Sequence, residues 1–276
     1  MEENEALVQL GRSNFQVWEM GRNPTTGIFM DHVNLRVNAS GQDWNQGGMG
    51  MTGLGLIVEC AAAELGWLER DDLVERVNQT LSSLAGKRKG FVVARNADGW
   101  APTFVNSNTG ASLQPPNSTA YSTLATGLNA AGVLFAAQYV GTEEIWALAE
   151  EIVASVRWET LLCSNGMTNT SGNEVCMVKS LNGSICSATE APEADGYYQY
   201  YELEYTVWIT YERCRMEGNG SCKNPAIQAM WDRWDGRKFH PNLEYASHPL
   251  LSMWSCYIVH LPLFTTHAFN SDPDFL

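Results

Sequence analysis

The sequence predicts an all-α fold in which buried and surface helices alternate. Residues 49–65 and 120–139 are almost free of charge and rich in Gly and Ala, a composition typical of helices covered on all sides. Amphipathic segments with a single apolar stripe follow them, at 72–84 and 142–156. A buried helix followed by an outer helix, repeated along the chain, predicts a double ring of helices, the α/α-toroid.

The boundaries of these helices follow from turn and capping residues. The first helix, over 4–20, ends before a Pro- and Gly-containing turn at 23–27. Asp72 and Glu75 have the spacing of a capping box, so we expect Asp72 to be the N-cap of the first outer helix. Thr142 is the predicted N-cap of the second outer helix.

Three further helices are expected in the second half of the chain. The third inner helix is predicted over 200–212 and is followed by a helix over 225–234, with Pro225 at its first position. The apolar run 249–261 predicts a fourth inner helix. Two connections, 86–119 and 163–196, are too long to be simple links, and we expect them to form the walls of a site.

Composition excludes several classes of function. The net charge is −14 and only 17 residues are Lys or Arg, so binding of nucleic acid or of an anionic membrane is not expected. The chain lacks a run of about twenty apolar residues, so we predict no membrane span. The cysteines and histidines lack the spacings of metal ligands, and we predict neither a metal nor a cofactor. The chain is acidic and contains ten Trp residues, and such an aromatic-rich, acidic composition is common among carbohydrate-handling proteins.

The cysteines and sequons indicate an oxidising compartment. Of the seven cysteines, Cys60 and Cys256 lie in apolar runs and are predicted buried thiols. The other five suit disulfides, and the shortest loops would pair Cys176 with Cys186 and Cys214 with Cys222, leaving one thiol. We therefore expect an extracellular or secretory-pathway protein whose signal peptide is not in this chain, a segment of a longer secreted protein. Six N-x-S/T sequons agree with this, at Asn38, Asn78, Asn117, Asn169, Asn182 and Asn219.

Two carboxylates in an aromatic segment are the first candidates for chemistry. Residues 197–201 contain four tyrosines, and Glu202 and Glu204 follow where the apolar helix begins. A carboxyl group in such surroundings is costly unless it is paired or solvated, and its pKa tends to be raised, which suits a general acid. Alternatively, one glutamate faces solvent and the other caps a neighbour. Asp31, which closes an apolar turn, is equally compatible with turn capping and a site role.

A series of short motifs, in order along the chain, resembles one family. The motifs are Asn23-Pro-Thr-Thr-Gly27 with Asp31, Met51-Thr-Gly-Leu-Gly55, Asn108-Thr-Gly110, Tyr121-Ser-Thr, the Tyr/Glu helix, and Pro262-Leu-Phe with His267. Together they resemble the glycoamylase-like glycoside hydrolases, which include endo-β-1,2-glucanases. The resemblance implies an (α/α)6 toroid in an extracellular or periplasmic setting. It also implies inverting endo-hydrolysis of β-1,2-glucan.

The resemblance also implies roles for particular residues. The family's general acid follows a Tyr-Asn pair, which places it on Glu202, although a shift of two would choose Glu204. The asparagine of that pair is replaced by Tyr201, and an acid of the family is replaced by Ala125. The catalytic base is not identified; Asp31, Glu204 and Asp272 are available. The predicted substrate-binding residues are Asp31, Trp100, Tyr121, Tyr201, Phe264 and His267.

About eight helices are predicted, whereas six pairs require twelve. We therefore expect residues 1–276 to form a single toroid domain that lacks its C-terminal helices, an open arc with an apolar gap. An oligo- or polysaccharide is the expected partner. A glycan-binding protein without catalytic activity on the same toroid is the alternative, suggested by Ala125 and the many aromatic residues.

Overall fold

The computed structural model describes residues 2–37, 41, 43–114, 121–162, 175–183, 186–188, 204–235, 241–245 and 248–251. The chain divides into two units, Met1–Arg157 with Ser180–Ser184, and Trp158–Lys179 with Ile185–Leu276. The described residues are mainly helical, with seven α-helices and only short strands. The predicted all-α class is confirmed to that extent, and the closed or incomplete ring stays a prediction.

In the first unit, the described residues form five helices and three two-residue strands. β1 and β2 pair antiparallel, with Gly47 opposite Val105. The helices are α1 (Glu2–Gly21), α2 (Met49–Glu64), α3 (Arg70–Leu84), α4 (Thr123–Val140) and α5 (Glu143–Ala154), and the strands are β1 (Gly47–Gly48), β2 (Phe104–Val105) and β3 (Tyr121–Ser122).

The two uncharged helices, α2 and α4, pack directly on each other through glycine. A Cβ atom on Gly132 would lie inside the backbone of Gly53, and a Cβ atom on Gly53 would collide with the backbone at Leu128 and Asn129. Asn129 Nδ2, two turns into α4, donates a hydrogen bond of 3.1 Å to Met49 O at the first residue of α2. Met49 thus contacts Asn129 and Gly53 contacts Gly132, so the contacts advance in the same direction along both helices and the two inner helices run parallel.

The amphipathic helices α3 and α5 cover this inner pair with their apolar stripes. Leu73, Val77, Leu81 and Leu84 of α3 are buried, as are Ile145, Ala149 and Ile152 of α5. Both stripes join the same core as α2 and α4, so the predicted alternation of buried and outer helices is confirmed in this unit.

One predicted cap is confirmed and another is wrong. The Thr142 hydroxyl accepts from Ile145 N at 3.4 Å, as expected. The proposed capping box at Asp72 does not form, because α3 begins at Arg70 and its N-cap Glu69 makes no side-chain cap. Asp72 instead lies in the first turn, where the helix dipole favours a carboxylate.

A buried ion-pair network joins the end of α1 to α2 and α3. Arg22 Nε lies 2.8 Å from Glu59 Oε1, within ion-pair distance although not aligned as a hydrogen bond. Arg76 Nη1 is 3.5 Å from the same carboxylate oxygen, and Arg76 also donates to the Glu19 carboxylate. Glu59 is only 1 % exposed. Burial raises the pKa of Glu59, and the two arginines oppose that shift.

The described residues of the second unit form two helices, two short hairpins and a 3-10 turn. The Tyr211 and Trp231 rings stack at 4.5 Å between the helices, and Lys179 lies opposite Cys186 in one hairpin. The elements are the 3-10 turn (Trp158–Leu161), β4 (Cys176–Lys179), β5 (Cys186–Ala188), α6 (Glu204–Glu217), α7 (Pro225–Asp235), β6 (Pro241–Tyr245) and β7 (His248–Leu251).

The cysteines agree with the sequence where they are described. Cys214 and Cys222 form the predicted disulfide, and Cys60 is a buried free thiol. Cys176 is disulfide-bonded, but its predicted pairing with Cys186 lies outside the described side chains. Cys256 lies outside the described residues.

The predicted helix over 249–261 is wrong at its start. Pro249 and Leu250 belong to β7, which pairs antiparallel with β6, Glu244 lying opposite Pro249. Proline is tolerated in a two-stranded edge arrangement because it need not donate to a ladder. Residues 252–261 lie outside the described part of the chain. Pro225 opens α7 as predicted.

The contact between α2 and α4 predicts a sharp difference between two glycines. Gly132→Ala should lower the free energy of unfolding by about 1–3 kcal/mol, since the new methyl group meets backbone and the helices must separate. Urea denaturation followed by circular dichroism measures the change. Gly50→Ala is the control, because its Cβ would meet the flexible Leu128 Cδ1 at 3.3 Å. Equal stability of the two variants would contradict the described packing.

Candidate active site

The parallel inner helices place their N-termini at one end of the first unit. The extended segment before β2 runs across both starts and binds them by hydrogen bonds. Met49 N donates to Thr103 O at 3.0 Å, and Ala101 N donates to Thr126 Oγ1 at 3.0 Å. Ser122 N donates to Ala101 O at 2.9 Å. The long connection predicted to form a wall of the site therefore covers the ends of the inner helices.

A turn built by Asn23 brings Asp31 to the same end. The Asn23 Oδ1 atom accepts hydrogen bonds from Thr25 N at 2.9 Å and Thr26 N at 3.2 Å. Gly27 has a φ of 75° and lies so close to Thr80 of α3 that a Cβ atom would collide with it. The conformational freedom and small size of glycine are both needed here. The turn then returns the chain to the start of α2.

Asp31 follows this turn and is held by its backbone beside β1. Its amide N donates to Gln46 O at 3.3 Å, while Gly48 N donates to Phe29 O at 2.9 Å. The Asp31 side chain is 36 % exposed, and its Oδ2 lies 3.9 Å from His32 Nδ1. The backbone at Asp31 is therefore held in position, while its carboxylate is open to solvent.

An apolar pocket of about 280 Å³ lies next to this carboxylate. Trp18 and Phe29 contact each other edge to face, with ring centroids 5.8 Å apart, and both line the pocket with Met51. Asp31 and His32 are the charged or ionisable residues in the lining. An apolar aromatic wall with one carboxylate can hold the non-polar face of a ligand while accepting hydrogen bonds from its hydroxyl groups.

Trp18 is a lining residue that sequence reasoning did not identify. Its helical spacing in α1 predicts a core residue, whereas the structure leaves it half-buried over the pocket. The pocket forms between the end of α1 and a turn that folds back onto it. The spacing of apolar residues within one helix does not indicate a contact with a segment that folds back onto that helix.

Trp100 and Tyr121 lie near the ends of the inner helices but face the interior. Trp100 is 0 % exposed, and its backbone N donates to Asn96 Oδ1 at 2.9 Å. Tyr121 is 6 % exposed, and burial raises the pKa of its phenol. Neither ring offers a broad surface to a ligand in this conformation, and their predicted substrate contacts stay predictions.

The predicted catalytic residues are only partly covered by the structure. Glu204 is the first described residue of α6, and its side chain is outside the description, so its role stays a prediction. The other predicted residues lie outside the described residues: Tyr201, Glu202, Phe264, His267 and Asp272.

Within the described residues, no three or more His, Cys, Asp or Glu side chains form a cluster that could hold a metal ion. Within the same ranges, none of the helices has the length and apolarity needed to cross a membrane.

No protein-family model matches the sequence, and no curated protein matches it significantly. Solved structures do match its fold. An endo-β-1,2-glucanase from Chitinophaga pinensis, solved with sophorotriose and glucose, matches with a TM-score of 0.60 at 18% identity, over 93% of this chain and 58% of that chain. A β-1,2-glucanase from Parabacteroides distasonis matches with a TM-score of 0.57 at 18% identity, over 95% of this chain and 37% of that chain.

A predicted glucoamylase from Bacteroides uniformis is similar to the same extent. Its TM-score is 0.60 at 14% identity, over 91% of this chain and 55% of that chain. The sequence resemblance to this group is therefore confirmed at the level of the fold. The chain spans little more than half the length of the Chitinophaga pinensis and Bacteroides uniformis structures. It spans 37% of the Parabacteroides distasonis structure.

Proposed function

We propose that this chain is part of a glycoside hydrolase that acts on a β-glucan, with β-1,2-glucan as the substrate we favour. The observation that carries the proposal is its fold, similar over 93% of the chain to an endo-β-1,2-glucanase solved with sophorotriose. The carboxylate-bearing apolar pocket at the end of the inner helices supports it. Loops at one end of such helices are the usual location of a site.

The proposed reaction is acid–base hydrolysis with inversion. Glu202 protonates the glycosidic oxygen as it leaves, and a second carboxylate removes a proton from the attacking water. The two carboxyl groups of an inverting enzyme lie about 6.5–9.5 Å apart, so that the water fits between sugar and base. Asp31, Glu204 and Asp272 are the candidates for the second group in this chain.

Asp31 is proposed to bind the substrate through its hydroxyl groups. Its exposed carboxylate makes no close ion pair among the described residues, since its partner there is His32 Nδ1, 3.9 Å from Asp31 Oδ2. Both carboxylate oxygens can therefore accept hydrogen bonds from a sugar. The adjacent Trp18 ring offers an apolar face of the kind that packs on a pyranose ring.

A specific observation favours the alternative, a glycan-binding protein without catalytic activity. The family carries an acid where this chain has Ala125, which is buried in α4, and a Cβ atom added to Gly50 of α2 would lie 3.6 Å from the Ala125 Cα atom. A carboxylate there would enter a tight contact between two inner helices. This alternative requires glucan binding without the release of reducing ends.

The assignment of the general acid predicts the effect of one substitution. Glu202→Gln should reduce β-1,2-glucan hydrolysis by at least about 100-fold, because general acid catalysis contributes about 10²–10⁴-fold. The release of reducing ends is the measurement. Glu217→Gln, at the exposed end of α6, is the matched control and should retain full activity. Full activity of Glu202→Gln together with loss of activity in Glu204→Gln would place the acid on Glu204, and full activity of both variants would contradict the proposal for this helix.

Binding at the pocket is predicted separately from catalysis. Asp31→Asn should weaken binding of sophorotriose about 10-fold or more, since a hydrogen bond to a charged group is worth about 1.5–3 kcal/mol. Titration calorimetry measures the dissociation constant, and Trp18→Phe should weaken binding to a smaller extent. Asp71→Asn, on the exposed side of α3, is the control and should leave it unchanged. Unaltered binding by Asp31→Asn would exclude the Asp31 pocket as a sugar site.

A further inference from the structure

Three of the six sequons begin at described residues, and their surroundings differ. They begin at Asn78, Asn182 and Asn219. Attachment of an N-linked glycan needs the asparagine amide nitrogen as acceptor and the hydroxyl group two residues later. A sequon whose amide and hydroxyl groups are engaged in the fold presents neither to a transferase. Whether the amide and hydroxyl groups are hydrogen-bonded therefore distinguishes sequons that a transferase can modify from those that it cannot.

Both reacting groups of the sequon at Asn78 are hydrogen-bonded in the folded chain. Asn78 Nδ2 donates to Glu144 Oε1 at 3.2 Å, and its Oδ1 accepts from Ser82 Oγ at 3.0 Å. The required hydroxyl belongs to Thr80, which is 0 % exposed and donates to Gly27 O at 3.2 Å. Both reacting groups are held inside or along α3. The sequon at Asn182 is intermediate, because its Oδ1 accepts from Ser180 Oγ at 2.7 Å.

The sequon at Asn219, by contrast, is open to solvent, and its reacting groups are not hydrogen-bonded among the described residues. Asn219, Gly220 and Ser221 are all exposed, in the turn between α6 and α7. Neither the Asn219 amide nor the Ser221 hydroxyl makes a side-chain hydrogen bond within the described part of the chain. Gly220 has open space where a Cβ atom would stand, so the middle of the tripeptide is uncovered.

The backbone explains why this tripeptide projects from the surface. Asn219 has a φ of 56°, the one positive φ of a non-glycine residue in the described chain. Asparagine tolerates that left-handed conformation better than most residues. Gly220 N donates to Arg215 O at 2.8 Å, which closes the end of α6 and turns the chain outward. The Cys214–Cys222 disulfide then holds the two ends of the turn together.

We infer that Asn219 carries an N-linked glycan. The Asn219 amide nitrogen attacks the anomeric carbon of a lipid-diphosphate-linked oligosaccharide. The bond from that carbon to the diphosphate oxygen breaks, an N–C bond forms, and the amide loses one proton to a base of the transferase. The disulfide that closes this turn forms in the same oxidising compartments in which such transfer occurs. The inference is independent of the proposed hydrolase activity.

The test uses the full chain secreted from yeast and glycopeptide mapping by mass spectrometry. The peptide containing Asn219 should carry a glycan, and the peptide containing Asn78 should not. Asn219→Asp and Ser221→Ala should each remove one glycan, whereas Asn78→Asp should remove none. Aspartate is chosen at position 219 because it also tolerates a positive φ, so the turn is preserved. Ser221→Thr keeps the hydroxyl and should keep the glycan.

Two results would overturn the inference. One is an unmodified Asn219 peptide in secreted protein whose Cys214–Cys222 disulfide is intact. The other is modification of Asn78 to the same extent as Asn219, which would mean that the folded environment does not select between them. If Asn219→Asp is poorly secreted, Ser221→Ala leaves residue 219 unchanged and gives the same readout.

Discussion

The direct backbone contact between Gly53 of α2 and Gly132 of α4 is the constraint on which the first unit depends. With no Cβ on either residue, two inner helices lie closer than any larger side chain would permit. This closeness leaves no room for charge between them and explains why both helices are almost uncharged. The two helices run parallel, so both N-termini reach the same end of the unit.

The site follows from that arrangement. An extended segment can bridge the starts of α2 and α4 because they are adjacent, and the Asp31 turn attaches at β1 beside it. The buried Arg22–Glu59 pair fixes the chain just before the turn to the middle of α2. A carboxylate beside an apolar pocket is thus held by a rigid support, as a binding group requires.

Sequence reasoning succeeded where one pattern allows one structure. An uncharged Gly/Ala-rich run of helical length predicted α2 and α4, and single apolar stripes predicted α3 and α5. It failed where a pattern allows two. Asp72 suits an N-cap and equally the first turn, and the apolar residues after Pro249 suit a buried helix and equally a strand. The Trp18 pocket arises from contact between distant segments, which local spacing does not encode.

We propose that this chain belongs to an enzyme that hydrolyses a β-glucan with inversion. The decisive measurement is proton NMR of β-1,2-glucan incubated with the chain, recorded before mutarotation. New reducing ends should appear first as the α-anomer, because water attacks the face opposite the leaving group. Initial release of the β-anomer would contradict the inverting mechanism, and glucan binding with no new reducing ends would contradict hydrolysis itself.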